Sequence, residues 1–146
     1  MAVLRTFADF AVSNGDLLFD PESAPITGAM VGGVNEDVEV TGVAVSLRPE
    51  AGHVWVRTSR VLGRLVLQLV DYTDQPNARW NEPKTPTAPV AEVTVRLRVV
   101  ARDVRAWFGQ PSAGPELRRI LVQDDADVVT IILPVFDTWA VLVVDG

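Results

Sequence analysis

Residues 92–99 read Glu-Val-Thr-Val-Arg-Leu-Arg-Val, an unbroken alternation of polar and apolar side chains. A repeat of two puts Val93, Val95, Leu97 and Val99 on one face and Glu92, Thr94, Arg96 and Arg98 on the other. That is a strand with one dry and one wet side, as antiparallel sheets use. Much of the chain follows this period rather than 3.6. Val38 and Val40, then Val43, Val45 and Leu47, alternate with a one-residue slip at Thr41-Gly42. A slip beside glycine predicts one long strand carrying a β-bulge. Val54 and Val56 flank Trp55 in a short strand.

Three segments are apolar on both faces. Leu65, Leu67 and Leu69 alternate with Arg64, Val66, Gln68 and Val70, and residues 127–133 and 139–144 are similarly rich in β-branched side chains. Strands of this kind lie centrally in a sheet or against a covering partner. Near the start, Asn14-Gly15 separates apolar residues 7–12 from 17–19. Asn-Gly favours the positive φ angles of a tight turn, which predicts a β-hairpin. Helical signals are few: one turn over 103–108, and another opened by Pro115 before Glu116-Leu117-Arg118-Arg119.

The expected architecture is all-β: an antiparallel β-sandwich, or a partly open barrel, of about seven to nine strands with one short helix near 103–120. A chain of 146 residues, 48% hydrophobic, fits one domain spanning 1–146. Folding at this size buries about two thirds of the unfolded surface, so no covalent staple is required. A long segment, 71–89, stands outside the pattern. It holds Pro76, Pro83, Pro86 and Pro89, which cannot sit inside a ladder. It reads either as a surface loop or as an arm docking on a neighbour, with Tyr72, Arg79 and Trp80 as anchors, since Trp, Tyr and Arg are enriched in binding hot spots.

Chemistry is constrained mainly by what is missing. The sequence has no cysteine, one histidine (His53) and one lysine (Lys84). Disulfides, thiol nucleophiles and Cys-ligated metals are therefore excluded. His53 lacks the serine context of a hydrolase elbow, and neither a dinucleotide fingerprint nor a P-loop is present. Asp124, Asp125 and Asp127 form an oxygen-rich turn and are the weak metal candidates, but they lack the spacing of a known calcium loop. No cofactor is expected, and the chain is expected not to be an enzyme. A net charge of −6 argues against nonspecific nucleic-acid binding. No leader peptide or membrane-spanning run is visible, which predicts a soluble protein of a bacterial cytoplasm or an assembled virion.

Two functional readings remain. The leading one starts from the two-faced strands, whose apolar surface exceeds what one small sandwich is expected to cover. It makes the chain a structural assembly module: a homo-oligomer or part of a larger particle, such as a decoration, connector or tail protein of a bacteriophage. Its contacts are Leu67, Leu69, Val141 and Val143 with Tyr72, Arg79 and Trp80, and its partners are itself or other structural proteins, with no nucleic acid and no membrane. The alternative is a carbohydrate- or small-ligand-binding sandwich that stacks its ligand on Trp55 and Trp80. Trp139 is expected in the core, and Trp107-Phe108 as a cap on one end. A small hydrolase ranks last.

Overall fold

The computed structural model describes residues 2–20, 24–25, 38–79, 81–98, 103–125 and 127–146. Helices α1 (Ala2–Ser13) and α2 (Gly15–Leu18) come first. Then follow β1 (Ala24–Pro25), β2 (Val38–Thr41), β3 (Val45–Ser46), β4 (Val54–Val61), β5 (Arg64–Asp71), β6 (Thr94–Arg98), β7 (Arg105–Gly109), β8 (Arg118–Ile120), β9 (Gln123–Asp125), β10 (Val128–Ile132) and β11 (Trp139–Asp145). They form two sheets. The larger runs β1-β4-β5-β11-β7-β8, with β3 added alongside β4, and the smaller runs β2-β6-β10-β9. Among the described residues only the β3–β4 pair is parallel. The protein is thus a mostly β sandwich with a short helical N-terminus.

The alternating strand is β6. Val93, Val95 and Leu97 are buried, while Arg96 faces out and pairs with Glu39 of β2 at 3.0 Å; Val99 lies outside the described residues. These valines and Leu97 meet Val54, Val56, Leu67, Leu69 and Leu142 of the larger sheet, forming the core between the sheets.

Residues 38–47 are not one bulged strand. β2 belongs to the smaller sheet and β3 to the larger, so the chain changes sheets where the alternation slips. Gly42 makes the corner, with φ 92° and an ideal Cβ position only 2.0 Å from the Glu92 carbonyl oxygen. The slip signalled a real break, but a switch of sheet and a bulge leave the same mark in sequence.

The Asn14-Gly15 hairpin does not form. Phe7, Phe10, Ala11 and Asn14 also satisfy the i, i+3, i+4, i+7 spacing of one helix face, and that reading prevails. Asn14 has φ −114° and ψ 22°, not the left-handed pair a hairpin turn needs. Its backbone N–H donates to the Phe10 carbonyl, and its buried Nδ2 donates to Phe10 O and Pro115 O, both at 2.9 Å. Asn14 therefore closes α1 and ties it to the segment beyond β7.

The short helix near 103–120 is a single 3-10 turn at Pro111–Ala113. Residues 105–109 and 118–120 on either side of it are strands, so Trp107-Phe108 is not an end cap. Phe108 points into the core and Trp107 packs on the opposite side of the sheet. Residues 127–133 are apolar in composition but not buried on both faces. Val129 and Ile131 point inward, whereas Ile132 is 58% exposed.

The outer side of the larger sheet explains its two-faced strands. Phe10 and Leu18 bury themselves against Val61, Val66, Val141 and Val143, with Leu17, Trp107, Leu117 and Trp139 around the margin. Trp139 stacks on Phe7 (ring centroids 6.3 Å apart, planes at 19°) and meets Phe10 edge-on at 5.2 Å. The second apolar layer is covered by the chain's own N-terminal helices.

Candidate functional site

The helices leave part of that outer side open, and the β4–β5 register shows what lies there. Trp55 pairs with Val70, and Arg57 with Gln68. Alternation turns Val54, Val56, Leu67 and Leu69 into the core and these four residues outward. Val70 pairs in turn with Trp139 on β11. A transverse row therefore runs Trp55–Val70–Trp139. Its Trp139 end lies against Phe7 and Phe10, while its Trp55 end is half-exposed.

Trp55 has a fixed orientation. Its indole Nε1–H donates to the Leu47 carbonyl at 3.1 Å. The loop supplying that carbonyl is itself held. Ser46, opposite Trp55 in the parallel β3–β4 pair, donates through Oγ to Glu50 at 3.0 Å and accepts from the Arg48 N–H. The next turn runs from Glu50 to His53 with Gly52 at φ 81°, and the His53 N–H donates to Glu50 O. Gly52 N–H donates to Tyr72 O, while Tyr72 N–H donates to His53 O. This is a glycine bulge beside a tight turn, and it carries the ladder one step past the strand ends. His53 and Tyr72 thus extend the open face next to Trp55 and Val70. The His53 Nδ1 lies 3.0 Å from Ala51 O. A carbonyl can only accept, so Nδ1 carries the hydrogen there.

The open face therefore holds His53, Trp55 and Arg57 on the β4 side and Gln68, Val70 and Tyr72 on the β5 side. From His53 to Arg57 it is about 14 Å long, from the rise per strand residue. It contains one flat indole, an amide, a guanidinium, an imidazole and a phenol, with no carboxylate among them. Arg57 makes no ion pair or hydrogen bond with its side chain among the described residues. Such a surface stacks a flat apolar ring face and offers hydrogen bonds around its rim.

The predicted contact residues have separate fates. Leu67 and Leu69 lie between the sheets and Val141 and Val143 beneath the helices, all at most 2% exposed. None of the four is at the surface: the smaller sheet covers Leu67 and Leu69, and α1 and α2 cover Val141 and Val143. Tyr72 is on the open face, with the Lys84 ammonium 5.9 Å above its ring. Lys84 is anchored by Asn77 O and Oδ1, both at 3.2 Å, and by the Arg79 carbonyl. Arg79 pairs with Glu82 at 2.8 Å. Gln75, also buried, donates to Thr85 O and accepts from Thr85 N–H. The proline-rich segment is thus folded onto itself through its described residues. Trp80 lies outside the described residues.

Asp124 and Asp125 sit on β9 and Asp127 just beyond it, all exposed. Among the described residues no group of three acidic or histidine side chains gathers into a metal site, and no helix is long and apolar enough to cross a membrane. Of the stacking candidates, Trp55 is half-exposed. Arg57, Gln68 and His53 were missed as its neighbours. The alternation around Val54 and Val56 already turned Trp55 and Arg57 to one side, but the β5 register needed to add Gln68 was not readable from sequence.

The fold places the chain among two-sheet β-sandwich domains. No protein-family model matches it, and no curated protein does. Among solved structures it is similar to the cycloisomaltooligosaccharide glucanotransferase of Paenibacillus sp., in a crystal structure complexed with cycloisomaltoheptaose. The TM-score is 0.77 at 16% identity, over 97% of this chain and 20% of that one. The chain therefore spans about a fifth of that enzyme's length, and the likeness is one of fold.

Proposed function

We propose that this chain is a non-catalytic carbohydrate-binding module whose contact surface is the open face around Trp55. The observation that carries the reading is the half-exposed indole, held by the Leu47 carbonyl and bordered by Arg57, Gln68, His53 and Tyr72. A pyranose presents C–H groups on its ring face and hydroxyls around its rim. The indole receives the former, and the guanidinium and amide bond the latter. A rigid platform gains here because little side-chain entropy is lost on binding. The matched fold supports the reading, since it is part of a carbohydrate-active enzyme.

The assembly reading rested on two-faced strands, and α1 and α2 now account for them. No described feature favours a virion component. Affinity electrophoresis tests the proposal, using native gels cast with dextran, soluble starch or polygalacturonate. The full chain is retarded by at least one, and Trp55→Ala migrates as in the empty gel. If no glycan retards the chain, or if Trp55→Ala is retarded equally, the proposal fails.

A further inference from the structure

The charge of the open face is unlike that of the molecule. The chain carries −6 overall, yet the outward positions of this face, 53, 55 and 57 with 68, 70 and 72, include no acid. Arg57 is exposed two residues from Trp55 on the same side of β4, opposite Gln68. Five exposed arginines elsewhere are paired, Arg5 with Asp9, Arg64 with Asp145, Arg79 with Glu82, Arg96 with Glu39 and Arg105 with Asp103, whereas Arg57, like Arg60, Arg98, Arg118 and Arg119, has no ion-pair partner among the described residues. Arg48, on the loop that holds Trp55, likewise has no side-chain partner among the described residues. The nearest carboxylate in sequence, Glu50, accepts the Ser46 hydroxyl.

A neutral sugar needs donors and acceptors but no net charge. A guanidinium beside a stacking ring is suited to a planar carboxylate, which it holds by two parallel N–H···O bonds. We infer that the Trp55 face prefers an acidic glycan, with a uronic acid ring stacked on Trp55 and its carboxylate held by Arg57. Gln68 then bonds a neighbouring hydroxyl. This inference rests on the carbohydrate-binding reading and specifies its ligand class.

The test is calorimetric titration of the full chain with oligogalacturonate and with its methyl ester, which keeps the sugar and removes the charge. The free acid binds on the order of tenfold more tightly, as expected for a charge-assisted pair. Added salt narrows the gap, and Arg57→Gln abolishes it by weakening the free acid far more than the ester, which loses only a hydroxyl contact. Trp55→Ala weakens both ligands. Arg57 is exposed, so an unchanged melting temperature verifies that its variant is folded. Equal affinity for acid and ester, or a preference that survives in Arg57→Gln, overturns the inference. If a neutral glycan such as dextran binds in a Trp55-dependent way while the acid shows no advantage, the module reading stands and the acidic preference alone falls. If no glycan of either kind binds, both fall.

Discussion

At the scale of single residues, Trp55 and Asn14 show how context assigns a role. Trp55 is turned outward by the pleat, because Val54 and Val56 on either side are buried, and its polar end is already satisfied by Leu47. Replacing it with alanine removes a half-exposed ring from the surface, so stability falls by about 1 kcal/mol or less while glycan retention is lost. Asn14 is the reverse case. It is buried, and its amide serves two carbonyls, Phe10 O and Pro115 O. Asn14→Ala leaves Pro115 O without that donor and loosens the end of α1. Urea denaturation is expected to show a loss of about 2 kcal/mol, with no change in glycan binding. The role of Asn14 was not legible in the sequence. Asn-Gly is a strong turn signal, and only Phe7, Phe10 and Ala11 at helical spacing compete with it.

At the scale of elements, a period of two was the reliable guide where one face met water. It located β6 and set Val54 and Val56 apart from Trp55 on β4, but it left both faces of β5 open, with Leu67 and Leu69 expected at a partner contact rather than between the sheets. It failed at residues 38–47, where a corner between sheets resembles a bulge, and at 103–108, where a five-residue strand resembles a helical turn. It could not distinguish the possible covers for a two-faced strand, because an apolar face has the same composition under a helix or under a second subunit. Gly42 tests the corner. Alanine there must adopt a positive φ and place its Cβ against the Glu92 carbonyl. We expect Gly42→Ala to cost about 3 kcal/mol, read as a lower urea midpoint. Phe10 tests the cover. It is fully buried against the outer sheet face, so Phe10→Ala is expected to cost about 3–5 kcal/mol.

At the scale of the whole molecule, the sandwich was legible from its strands, but the division of labour between its two sheets was not. The smaller sheet presents charged and polar residues outward, such as the Glu39–Arg96 pair. The larger sheet has an outer side divided between a helical cover and an open aromatic face. The cover predicts that the intact chain scatters light as a 15.9 kDa monomer. A chain lacking residues 1–19 exposes Val66, Val141 and Val143 and self-associates, binding a hydrophobic dye. A monomeric truncated chain with no dye binding contradicts this assignment of the cover.

The most direct test of the central claim is to watch the open face while a glycan is added. Amide and indole N–H resonances of the labelled full chain are followed by NMR during titration with oligogalacturonate and, separately, with cycloisomaltoheptaose. With at least one of these sugars, the Trp55 indole N–H and the backbone amides of Arg57 and Gln68 shift together and saturate. The Trp107 indole, packed on the helix-covered part of the same sheet, stays in place. No shift with either sugar, or shifts confined to the smaller sheet, would contradict the claim that this protein meets carbohydrate through the Trp55 face.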